Sequence, residues 1–269
     1  MSPARRRNRV MVASVASLVL CLLVGCHQIH EARARKLAAS AMEFGEQGDY
    51  DRALEYSEIA IRLGAAEPKL HRMRGAIFLK QGRADLALAE CDAGIALVKD
   101  WQRNSVANGD ALSDTTDEAE LHWARANALE KLKRPDEARE AFEMCLKLAP
   151  LFSGGHNNLA WLLATFPDES VRDAEAALEH AKRACKLTEW KQSGSLDTLA
   201  AAYAESGDFE NAVRWQQEAI TQSKNSEGSA HLEKYQSRLA LYEAGQPFRE
   251  ELEMEPANGG LTKGATEPD

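Results

Sequence analysis

A unit of about 34 residues recurs along this chain of 269 residues, and that recurrence restricts it to a stack of similar helical hairpins. Its plainest copy runs from Ser193 to Gln222. Leu196, Leu199, Ala200 and Tyr203 space one apolar helix face, Gly207-Asp208-Phe209-Glu210-Asn211-Ala212 turns the chain, and Ala212, Ala219 and Ile220 line a second helix. Glycine ends the first helix in a left-handed conformation, aspartate accepts backbone N–H groups at the start of the second, and the aromatic residue plugs the elbow. The same turn stands near the other end as Gly48-Asp49-Tyr50-Asp51-Arg52-Ala53. The pairs Gly48 and Gly82, Ala53 and Ala87, Ala60 and Gly94, and Leu63 and Leu97 then repeat at the same interval of about 34. Small residues recur at these places because neighbouring helices must approach closely there.

Five units follow from this spacing: 34–63, 68–97, 119–150, 153–188 and 193–222. Between the second and third, Lys99 to Thr116 is polar and rich in turn formers, including Asn104, Asn108, Gly109, Asp110 and Asp114, and is expected to form an insertion loop whose Trp101 docks onto the array. The fourth unit has a longer elbow, since Ala138 and Ala177 stand 39 residues apart. A helix near Ser229 to Ala244, with Leu232, Tyr235, Leu239 and Tyr242 on one face, is expected to cap the stack within 225–248. Residues 249–269 are expected to be a disordered acidic tail, with six acidic residues from Glu250 onward.

The N-terminus carries a different message. Arg5, Arg6, Arg7 and Arg9 precede an apolar run from Val10 to Val24, which is shorter than the ~20 residues a spanning helix needs and reads as a secretory signal over 1–25. Leu23-Val24-Gly25-Cys26 resembles the bacterial lipobox, which implies cleavage before Cys26, lipidation of its thiol and a short tether over 26–33. Two or more acyl chains anchor stably where one does not. The expected location is therefore the bacterial cell envelope, facing the periplasm or exterior. His27 stands where an aspartate often signals inner-membrane retention, which favours the outer membrane. Cleavage would leave 29 basic against 42 acidic residues, a net charge of −13, which argues against nucleic-acid binding. Cys91, Cys145 and Cys185 sit at small, inward positions of three different units and read as packing residues rather than as a disulfide framework.

The repeat resembles the tetratricopeptide repeat family, with small residues at its eighth, twentieth and twenty-seventh positions and an aromatic at its seventeenth. The resemblance covers about Ala34 to Gln222. It implies an all-α fold, a right-handed superhelical array of about five hairpins with a C-terminal capping helix, and a partner that is another protein or peptide. In peptide-binding members, asparagines matching Asn127 and Asn158 grip a ligand backbone from the concave groove, where Asn157 and Trp161 would flank them. The basic residues of the chaperone-type carboxylate clamp are missing: Trp123, Gly194 and Thr198 stand in their places. Lys69 and Arg72 would add a positive spot toward the N-terminal end.

Neither a His-Glu-x-x-His helix, a phosphate-cradling glycine loop nor a nucleophile elbow occurs in the sequence. His71, His122 and His156 share the fourth position of three units, but equivalent positions on stacked hairpins lie about 10 Å apart, too far to share one zinc. The reading is a non-catalytic scaffold with no metal, cofactor or small-molecule substrate. The alternatives are a structural subunit of an outer-membrane assembly or secretion complex that uses the convex face or the loop, and an accessory subunit of an enzyme.

Overall fold

The computed structural model describes residues 28–108, 115–225 and 231–250. These are helical with no strand among them, so the fold class is all-α. The chain divides after Gly155 into two compact units.

The first unit holds α1 (28–46), α2 (Tyr50–Arg62), α3 (Pro68–Lys80), α4 (Ala84–Asn108), α5 (Thr116–Lys131) and α6 (Pro135–Leu148). Consecutive helices pair, and small residues set how closely. Ala34, Ala38 and Ala41 of α1 form one buried cluster with Ala60 of α2 and Leu70 of α3. A Cβ on Gly94 of α4 would stand 2.8 Å from Leu121 and 3.1 Å from the His71 Cβ, so only glycine lets α4 lie this close to α3 and α5. The turn chemistry is as the sequence suggests. Gly48 has φ of 79°, the Asp49 N–H bonds back to the Phe44 carbonyl at 2.9 Å, and the Asp49 carboxylate accepts from the Arg52 N–H at 3.2 Å. At the α5–α6 turn the left-handed place is taken by Lys133, with φ of 58°.

Two expectations are corrected in this unit. Residues 28–33 of the expected tether are helical, as the start of α1, while Cys26 and His27 lie outside the described residues. The expected insertion loop is helical as far as Asn108, because Val98 is buried and Gln102 donates to Glu118 of α5 at 2.7 Å. Trp101 therefore rides on α4, 46% exposed, instead of docking as a loop residue. Residues 109–114 of that stretch are outside the described set.

The division falls within the first turn of α7 (Ser153–Thr165), and the second unit holds the rest of that helix with α8 (Ala174–Leu187), α9 (Ser193–Glu205), α10 (Phe209–Asn225) and α11 (Leu232–Glu243). The longer elbow between α7 and α8 is a single 3-10 turn, Glu169–Val171, capped by Asp168, which accepts from the Ser170 N–H at 2.9 Å. Arg172 braces it by donating to the carbonyls of Phe166 at 3.0 Å and Pro167 at 2.7 Å. α11 packs on α10 as the capping helix, but its buried face is Tyr235, Arg238 and Tyr242. Leu232 and Leu239, expected on that face, are only half-buried. The buried cation is held by Asp197 on α9, which the apolar pattern alone does not reveal.

Candidate functional site

The residues singled out for partner binding fall in both units. In the first, Lys69 on α3 pairs with Glu67 at 2.9 Å, and Arg72 pairs with Glu120 of α5 at 2.7 Å, so the expected positive spot is balanced by the chain's own carboxylates. Asn127 on α5 is half-buried, and its amide donates to the Trp123 carbonyl one turn back at 2.8 Å. Trp123 stacks edge-on with Phe152, ring centres 5.6 Å apart. In the second unit, Asn157 donates to Asn158 at 3.3 Å, and the Asn157 carbonyl oxygen is buried with no hydrogen-bond partner among the described residues.

Trp161 is engaged by its own chain. Its indole N–H donates to the Glu250 carboxylate at 2.6 Å, its ring lies 5.7 Å from the Phe248 ring, and the Arg238 guanidinium sits 5.2 Å above it. Arg249 and Glu250, assigned by composition to the acidic tail, are thus packed residues. The rest of that tail lies outside the described set. An aromatic residue just after a helix-ending Gly245-Gln246-Pro247 is the one sequence signal that points to this contact.

Arg238 is held on the other side by Asp197, whose two carboxylate oxygens accept from Nε and Nη2, both at 2.8 Å. Gln216 of α10 adds a third bond to Asp197 at 2.8 Å and donates to the Tyr235 carbonyl at 3.1 Å. Burial pushes the Asp197 carboxyl above its ordinary range, and the pull of Arg238 and Gln216 only partly offsets it.

The histidines part ways. His71 bonds Glu90 at 2.8 Å, and Arg74 bonds the same carboxylate at 2.7 Å. Burial acts to raise the Glu90 carboxyl, but the hydrogen bonds from His71 and Arg74 outweigh it and hold it below the usual range. Burial, reinforced by Arg125 and Lys99, lowers His122 to about 4. His156 meets His180 with Nδ1 atoms 2.9 Å apart, which requires one imidazole to donate and the other to accept; burial and then the His156 charge lower His180. Among the described residues no group of three or more His, Cys, Asp or Glu side chains is placed to hold a metal ion. Cys91, Cys145 and Cys185 are buried free thiols, each pushed by burial to about 12, so they pack rather than react.

Residues 38–100 and 119–152 each match a tetratricopeptide repeat family model. Those two stretches are tetratricopeptide repeats. Solved tetratricopeptide-repeat structures share its fold. The thermophilic TPR protein TTC0263 of Thermus thermophilus superposes with a TM-score of 0.52 at 16% identity, over 78% of this chain and 99% of that one. A tetratricopeptide repeat protein from Parabacteroides merdae gives 0.52 at 16% identity, covering 80% and 77% of the two chains. YrrB, described as a TPR protein with an unusual peptide-binding site, gives 0.51 at 14% identity, covering 74% and 90%. Identities this low speak for the fold alone. No curated protein matches the chain.

Proposed function

We propose that the protein is a non-catalytic scaffold, anchored in the bacterial envelope through acylated Cys26, that holds an extended segment of a partner protein against the first helices of its hairpins. The tetratricopeptide-repeat fold is that of a protein–protein interaction module, and YrrB, with the same fold, has a peptide-binding site. The binding mode is read from repeat register: Asn127 and Asn158 stand where peptide-binding members grip a ligand's backbone, with amides that can both donate and accept. Among the described residues no helix is long and apolar enough to cross a membrane.

Replacing Asn127 and Asn158 together by alanine should weaken capture of the partner from the protein's own membranes by more than ~1 kcal/mol. Capture that persists at full affinity refutes the asparagine site. Cys26→Ser should move the protein from the membrane to the soluble fraction; retention in the membrane refutes the acyl anchor. A second reading, a structural subunit of an envelope complex, is favoured by Trp101 and Trp190, which stand 46% and 41% exposed outside the asparagine set. Purification as a stable stoichiometric complex that tolerates the asparagine changes would select it.

A further inference from the structure

After α11 the chain doubles back. The Gln246 N–H closes on the Leu241 carbonyl at 2.9 Å, Gly245 takes φ of 70°, and Pro247 keeps the chain extended. The next three residues are then read by the second unit through four separate kinds of contact. Phe248 packs into a cluster with Ala200, Ala204 and Tyr242 and against the ring of Trp161 and the guanidinium of Arg238. Arg249 pairs with Glu205 at the end of α9, 2.5 Å away, and donates to the Ala164 carbonyl at 3.3 Å, where the last turn of α7 favours a cation. The Glu250 carboxylate accepts from the Trp161 indole, and its backbone N–H donates to the Thr165 carbonyl at 2.9 Å.

These receptor groups are held in place by bonds that do not involve the segment. Asp197 clamps Arg238 with two bonds of 2.8 Å, Arg172 holds Glu205 at 3.0 Å, and the Ala164 and Thr165 carbonyls belong to the last turn of α7. Arg238, Glu205 and the α7 carbonyls thus have supports other than the segment, as the groups of a preformed site do. We propose that α7, α9 and α11 form a binding site for an extended partner segment of aromatic–cation–carboxylate pattern, and that Phe248-Arg249-Glu250 is an internal ligand filling it when the partner is absent. The occupant's chemistry is read from what lines the site: an indole and guanidinium for the ring, a carboxylate and helix-end carbonyls for the cation, an indole N–H for the carboxylate. This deepens the interaction reading, and depends on it only for the existence of a natural partner.

The internal ligand begins five residues beyond the end of α11, and a short tether of this kind gives an effective concentration on the order of 1 mM. A competitor has to exceed that advantage. The test uses the full chain and the hexapeptide Gly-Gln-Pro-Phe-Arg-Glu, amidated and fluorescently labelled, which copies residues 245–250. In the variant Phe248→Ala, Arg249→Ala, Glu250→Ala the site is open, and the hexapeptide should bind with a Kd below ~1 mM and about tenfold more tightly than to the wild type. Adding Trp161→Ala, or separately Glu205→Gln, to the open variant should remove that gain. A scrambled hexapeptide should not bind.

Equal binding to wild type and open variant, or equal binding with and without the Trp161 and Glu205 changes, places the peptide elsewhere and overturns the proposal. So does absence of saturable binding by an open variant whose helical content is unchanged. Specific hexapeptide binding without any captured envelope partner would leave this site standing and count against the scaffold reading instead.

Discussion

Asp197→Ala tests how the C-terminal half is held together. Asp197 is 4% exposed and Arg238 9%, and three hydrogen bonds of 2.8 Å converge on the one carboxylate. Removing it strands a buried guanidinium, a loss of about 3–5 kcal/mol where one partner of a buried pair is deleted. The rings of Trp161, Tyr235 and Phe248 remain 5.2, 5.4 and 5.2 Å from that guanidinium and return about 1 kcal/mol by cation–π attraction. The expected loss is thus about 2–4 kcal/mol. Because repeat arrays need not unfold in one step, hydrogen exchange of the α9 to α11 amides should be read beside urea unfolding followed by circular dichroism. Since burial already outweighs the Coulomb attraction at Asp197, replacing both partners by apolar residues, Asp197→Leu with Arg238→Met, should return stability to within about 1 kcal/mol of wild type. A loss below ~1 kcal/mol in the single variant, or a double variant no better than the single one, would refute the reasoning.

Two further outcomes follow from the same physics. His122 is held near 4, below its ordinary 6.5, so the unfolded chain binds its proton first and stability falls as pH drops below about 6.5 toward 4; His180 acts in the same sense. Discounted for partial exposure, this amounts to about 1–2 kcal/mol between pH 6.5 and 5, read from urea midpoints. A flat profile there, or one that His122→Gln leaves unchanged, contradicts it. Lys133→Gly should stabilise the α5–α6 turn by about 0.5–1 kcal/mol, because Lys133 takes a left-handed φ of 58° where Gly48 and Gly207 serve the other turns; a lower melting temperature would show that the lysine is not strained.

The hairpins were legible because their instructions are local. Gly207, Asp208 and Phe209 lie side by side in sequence, and the bonds they make span three to five residues: Asp208 N–H to the Tyr203 carbonyl at 3.0 Å, Asn211 N–H to the Asp208 carboxylate at 3.1 Å. The end of α4 was misread for a related reason. Asn104, Ser105 and Asn108 are poor helix formers, but Gln102 reaches Glu118 on the next helix, and tertiary contact overrides propensity. The candidate site was legible only in part. Asn127 and Asn158 are assigned by repeat register alone, and nothing in the register of Trp161 announces Glu250, 89 residues away, as its partner.

By itself, then, the sequence determined the repeating helical hairpin, the glycine turns and the small contact residues, since each depends on residues a few places apart. The tertiary structure alone decided that Arg238 is buried on Asp197, 41 residues distant, that Arg72 is paired with Glu120 of α5, and that Phe248-Arg249-Glu250 fills the face of Trp161. Those pairings link side chains far apart in the chain, where helical period and composition carry no information about which charge meets which ring.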